Sequence, residues 1–167
     1  MDRNFLKVGN HQKICSLYSE FMTESEVEKI RNEMRKHTKS MFDLALEHYN
    51  FAVSIRKYQW RQRISRLYYA SYNASKAIRF DHDGAHSTDV KDHSKIGALP
   101  KGFPDQALLE NKLTNLREDR NSSDYDHLST KNDLLSQPDE YQDLVLEFLQ
   151  KAHDYLSGRG NTLGDKP

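Results

Sequence analysis

Apolar positions along this chain recur at helical spacing, and no convincing apolar alternation bounded by hairpin turns interrupts them. Thr23 followed by Glu26 has the spacing of a capping box, so a long helix starts there. Its later part places Phe42, Ala45, Leu46, Tyr49, Ala52 and Val53 on one stripe, the mark of a core-facing side. A turn around Arg56 to Trp60 separates it from a second helix over about Tyr58 to Phe80. That helix carries Ile64, Leu67, Tyr68, Ser71, Ser75 and Ile78 on one side, interleaved with Ala70, Ala74 and Ala77, small residues that permit close helix approach. Asp81 to His86 and Leu99 to Pro104 read as loops with a short helix between them. A third long helix begins near Pro104 and aligns Leu109, Leu113, Leu116 and Arg120. Pro138 opens the last helix, whose Tyr141, Leu144, Val145, Phe148, Leu149, Ala152, Tyr155 and Leu156 form the cleanest pattern in the chain.

The fold class is therefore all-α, an antiparallel helical bundle of four to five helices. With 167 residues the chain fits one domain with a real core. Its parts are residues 1–22, an extension or short helix suited by Ile14, Leu17, Tyr18 and Phe21, then a bundle over 23–157, then a mobile tail over 158–167 after Gly158.

Charge changes the picture locally. The net formal charge is zero and the pI is near 7.1, so attraction to nucleic acid has to come from a patch rather than from the whole protein. Such a patch runs from Ser54 to Phe80, mostly along the second helix, where Arg56, Lys57, Arg61, Arg63, Arg66, Lys76 and Arg79 occur without an acid. Arg61, Arg63, Arg66 and Lys76, with Tyr69 beside them, are candidate RNA contacts; packing in the core is the plainer role for the tyrosines. A single cysteine, Cys15, excludes an intramolecular disulfide and suits a reducing compartment. The absence of a secretory pattern at the N-terminus and of a run near the roughly 20 apolar residues that span a bilayer leads us to expect a cytoplasmic protein with no membrane partner. Asp81, His82, Asp83, His86 and His93 resemble a metal cluster only in composition; their spacing fits no zinc pattern, and we expect a polar loop, no metal and no cofactor.

The candidate chemistry lies in Arg120-Asn121-Ser122-Ser123-Asp124-Tyr125-Asp126-His127. Arginine offers a permanent cation with a planar fork of donors, and histidine titrates near neutrality. If the helix runs on past Arg120, the two side chains and Asp124 share a face. The plainer alternative is an ordinary Arg120–Asp124 ion pair four residues apart, with His127 a surface residue.

Two segments resemble a known family. Ser65-Arg66-Leu67-Tyr68-Tyr69-Ala70 followed by small residues looks like the second helix of small bacterial HEPN proteins, and Arg120-x-x-x-Asp124-Tyr125 with His127 looks like their arginine-to-histidine signature. The resemblance spans about Ser40 to Tyr155. It implies a homodimer that brings two arginine–histidine pairs into one cleft, and a metal-independent endoribonuclease of toxin–antitoxin or antiphage systems that uses the RNA's own 2′-hydroxyl as nucleophile. Arg120 and His127 would be catalytic, and Asn121, Asp124 and Tyr125 supporting. Other members are non-catalytic partners of nucleotidyltransferases or nucleotide binders, which is the alternative function. The chain departs from the toxin subgroup at Ser129, where those proteins carry the tyrosine that their antitoxin modifies.

Overall fold

The computed structural model describes residue 5 and residues 9–84, 86–87 and 89–167; residues 1–4 and 6–8 of the expected extension and residues 85 and 88 of the expected polar loop lie outside the described residues. Among the described residues there are five α-helices and no strand. They are α1 (His11–Leu17), α2 (Glu24–Ser54), α3 (Trp60–Asp83), α4 (Gln106–Tyr125) and α5 (Pro138–Gly158). A 3₁₀ helix, Val90–Lys95, fills the place of the short helix expected between the two loops.

Helix α2 starts where the capping box puts it: the Thr23 hydroxyl accepts from Glu26 N–H at 3.3 Å, and the Glu26 carboxylate accepts from Thr23 N–H at 2.8 Å. The turn 55–59 folds α3 back on α2, and α3 then packs against α2, α4 and α5 as the central element. Its Ala70, Ala74, Ala77, Ser71 and Ser75 are all buried, which lets three neighbours approach one helix. Leu67, Ile64 and Ile78 from α3 meet Leu109, Leu113 and Leu116 from α4 and Val145, Phe148 and Leu149 from α5 in a single core. Burying each such side chain contributes roughly 1.5–3 kcal/mol. No helix of the described residues is long and apolar enough to cross a membrane.

The structure adds three details to the sequence reading. Val53 closes the α2 stripe in the sequence but is exposed, because its helix ends at Ser54 and only Ala52 still reaches α3. Helix α1 forms, yet Leu17, Tyr18 and Phe21 face solvent; the helix is instead held by Cys15 and by His11, whose backbone N–H donates to Gly84 O at 3.0 Å. Gly84 ends α3 in the left-handed region (φ 68°), and a Cβ there would stand 2.5 Å from Gln12 N, so glycine lets α1 dock. The segment after Gly158 does not leave the body of the protein. Asn161 is buried and donates to Asp81 Oδ1 at 2.7 Å and Leu156 O at 3.0 Å, His153 Nε2 lies 2.9 Å from Gly164 O, and Lys166 pairs with Asp154 at 2.6 Å.

Candidate functional site

Leu109, Leu113 and Leu116 turn one side of α4 into the core, and Arg120, four residues on, continues that stripe as a half-buried cation. It meets α3 there. Its guanidinium carbon lies 5.3, 5.5 and 5.4 Å from the ring centres of Tyr68, Tyr69 and Tyr125. Nη2 donates to the Tyr69 hydroxyl at 3.0 Å, Nη1 to Asn121 Oδ1 at 3.2 Å, and Nε stands 2.9 Å from Asp124 Oδ2. Burial works against the charge, but Tyr69, Asp124 and Tyr125 outweigh it and hold the arginine's pKa above its ordinary value. Tyr69, Asn121, Asp124 and Tyr125 are thus brought together around Arg120, and the ion pair of the plainer reading is formed.

His127 is not part of that arrangement. Helix α4 ends at Tyr125, and Asp126 at its C-cap is extended (φ −97°, ψ 108°), so helical periodicity no longer carries His127 to the Arg120 face. Asp126 competes with the helix by accepting Leu128 N–H on its own carboxylate at 2.9 Å. From α3, Arg61 donates to the carbonyls of Ser123, Asp126 and Ser129, which clamps the chain in its new direction. His127 is left exposed beyond the helix end.

The basic residues of α3 do not form one face. Arg61 is committed to the three carbonyls just named. Arg63, expected at an RNA surface, is corrected to an internal clamp: it is buried, and its Nη2 donates to Asp139 Oδ1 at 2.8 Å and Gln142 Oε1 at 2.7 Å on α5. Arg66 lies over the Phe51 ring at 5.2 Å with Nη1 3.4 Å from His48 Nδ1. Lys76 sits about four turns along α3 from Arg61, against Tyr72, where burial lowers its pKa.

Two histidines that sequence reasoning did not connect with Arg120 lie around it. His93 Nδ1 is 2.7 Å from the Tyr68 hydroxyl and its ring stacks on Tyr72 at 4.3 Å; burial and then the Arg120 charge lower its pKa. His48 lies against Tyr69 with ring centres 5.5 Å apart, and burial and Arg66 lower its pKa. Neither shares a sequence motif with Arg120, so only the packing of α2 and of the 3₁₀ helix on α3 exposes the relation. Next to His93, Asp92 binds Arg79 at 2.9 and 3.0 Å and accepts from Tyr72 at 2.9 Å. Among the described residues no group of three or more His, Cys, Asp or Glu is placed to hold a metal ion. Asp81 is instead engaged with Arg159 and Asn161, and His82 with Asp83.

Beside Arg120 the ends of α2 and α4 and the start of α3 border an open cleft of about 740 Å³, within the ~300–1,000 Å³ usual for ligand sites, lined by residues that include Phe51, Arg56, Arg61, Arg66, Ser123 and Asp124. The fold and this site define an all-α bundle with an arginine-centred, aromatic-walled polar site at one end. No family model, curated protein or solved structure matches the chain.

Proposed function

We propose that the protein is a metal-independent, homodimeric endoribonuclease of the HEPN type, acting in a toxin–antitoxin or antiphage setting. The observation that carries this reading is the pre-oriented Arg120. Tyr69 and Asn121 each take a donor from one of its two terminal nitrogens and Tyr125 engages it as well, which fixes the fork for a phosphate oxygen. A guanidinium fixed in this way stabilises the charge that grows on phosphorus without reorganising during the reaction. His127, exposed two residues beyond the helix end, supplies the imidazole that accepts or donates the proton.

In the proposed reaction one His127 accepts the proton of the 2′-hydroxyl as its oxygen bonds to phosphorus. The bond from phosphorus to the 5′-oxygen breaks, and a second imidazole, His127 of the other copy, protonates that oxygen. The products are a 2′,3′-cyclic phosphate and a 5′-hydroxyl. Tyr125 and Leu128, 71% and 89% exposed, give this end of the molecule the apolar surface that a second copy would cover. Ser129 is buried and its carbonyl is held by Arg61, so control by modification at that position does not fit.

A non-catalytic binding module, docked on a nucleotidyltransferase or holding a nucleotide, is the second reading; the Arg120–Asp124 pair and the separation of His127 from the Arg120 network favour it. The two part on a substrate test. A nuclease of this kind cleaves RNA and leaves the 2′-O-methyl form of the same strand intact, whereas a binding module binds both and cuts neither.

A further inference from the structure

Lys76 stands apart from the other basic residues of α3. It lies in the second half of that helix, where the chain after Gly84 and the 3₁₀ helix Val90–Lys95 border a separate pocket of about 250 Å³. Ligand sites usually measure ~300–1,000 Å³, so this space suits a molecule of a few heavy atoms. Lys76, Arg79, His86, Ser87, Asp92 and Lys95 are among the residues that line it.

Both acids of the lining are engaged. Asp92 binds Arg79 at 2.9 and 3.0 Å and accepts from the Tyr72 hydroxyl at 2.9 Å, and Asp83 stands 2.7 Å from His82 Nδ1. Among the described residues no carboxylate pairs with Lys76 or Lys95. The Lys76 amine, 5.7 Å from the centre of the Tyr72 ring, donates to no acceptor among the described residues and keeps accessible surface in the pocket it lines.

A partly buried lysine ordinarily keeps its charge by pairing with an acid. Here burial lowers the pKa of Lys76, Asp92 draws it back up, and the neighbouring Arg79 pushes it down again. A desolvated lysine beside a second cation is held toward the neutral amine, the form that attacks a carbonyl carbon. His86 is held neutral in the same way, by burial and then by Lys76, and offers an imidazole that relays a proton. Exposed Lys95 adds a cation that no acid answers.

We propose that Lys76 is the amine of a covalent site that takes a small 2-oxo acid as an imine, with Lys95 holding the carboxylate. The Nζ lone pair bonds to the carbonyl carbon and one amine proton passes to the carbonyl oxygen. The carbinolamine then loses that oxygen as water, with His86 carrying the second amine proton to it, and a C=N bond remains. No oxidation or reduction is involved. The site shares no residue with the Arg120 and His127 centre and does not depend on RNA cleavage.

Pyruvate at neutral pH, with cyanoborohydride to trap the imine as a stable secondary amine, tests the site when every lysine is mapped by peptide mass spectrometry. In wild type the adduct at Lys76 exceeds that at the exposed Lys101 and Lys131 at least about tenfold. Lys76→Arg, a cation that forms no imine, carries no such adduct while its circular dichroism matches wild type. Lys95→Ala traps pyruvate about tenfold less, the size of one charge-assisted bond, yet traps uncharged acetone within twofold of wild type. His86→Gln slows trapping of both probes about a hundredfold, the low end for a proton-transfer group. An adduct spread evenly over the exposed lysines, or none at Lys76 of the folded wild type, overturns the proposal, as does equal trapping of pyruvate by wild type and Lys95→Ala.

Discussion

Asp119 decides whether the segment that carries His127 has a fixed position. Its carboxylate, 3% exposed, accepts Leu135 N–H at 3.0 and 2.8 Å, Ser136 N–H at 3.3 Å and the Tyr141 hydroxyl at 2.7 Å, and so ties α4 to the start of α5 across residues 126–137. Asp119→Ala removes every one of those acceptors. Leu135 and Ser136 regain water, but the hydroxyl of Tyr141, a residue 2% exposed, is stranded. A stranded buried hydroxyl costs about 1–3 kcal/mol and each lost charge-assisted bond about 1.5–3 kcal/mol, with strong non-additivity, so the variant should lose about 4 kcal/mol. For a chain of 167 residues that corresponds to about 8–16 °C in Tm. The assay is urea unfolding followed by far-ultraviolet circular dichroism on Asp119→Ala, Tyr141→Phe and the double variant. Removing the stranded hydroxyl should make the double variant about 1–2 kcal/mol more stable than the sum of the single losses implies. A loss below about 1 kcal/mol for Asp119→Ala, or strict additivity in the double variant, would refute the reasoning.

Other outcomes follow from the same geometry. Burial pushes the Asp92 carboxyl up, but Arg79 and Tyr72 bring it down to about 2, below its unfolded value near 3.8; about 2 kcal/mol of stability is therefore present above pH ~4 and lost as pH falls through ~2. Unfolding at pH 5, 3 and 2 should show that loss in wild type and a flatter profile in Asp92→Asn. Arg63→Ala removes a buried side chain with its bonds to Asp139 and Gln142 and should cost about 2–3 kcal/mol, and Asp139→Ala, which leaves the buried guanidinium with Gln142 alone, should cost about 1–2 kcal/mol by denaturant titration. Tyr69→Phe removes one support of Arg120 and should leave stability within about 1 kcal/mol of wild type while slowing RNA cleavage about tenfold; an unchanged rate would remove Tyr69 from the positioning of Arg120.

The parts of this molecule governed by local rules were legible before the fold was seen. Thr23 and Glu26 placed the start of α2, Pro138 the start of α5, and the leucines from Leu109 to Leu116 the inner side of α4. Arg120 extends that side, and its pairing with Asp124 follows from spacing alone. What was not legible depends on contacts distant in sequence. The basic run on α3 reads as one patch, but residues two apart on a helix point about 200° apart, so Arg61 and Arg63 reach different partners, the α4 end and α5. His127 leaves the helical face because Asp126 folds its own turn and Arg61 pins the carbonyls around it. His48 and His93 reach the surroundings of Arg120 only through packing on Tyr68 and Tyr69.

The central claim is that Arg120 and His127 cut RNA without a metal ion. It is tested most directly by incubating mixed cellular RNA with the purified protein in excess EDTA, beside the Arg120→Ala/His127→Ala double variant, with end-group analysis of the products. The account predicts cleavage by wild type that leaves 2′,3′-cyclic phosphate and 5′-hydroxyl ends, and none by the folded double variant. Intact RNA after incubation with folded wild-type protein, or equal cleavage by both proteins, would contradict it.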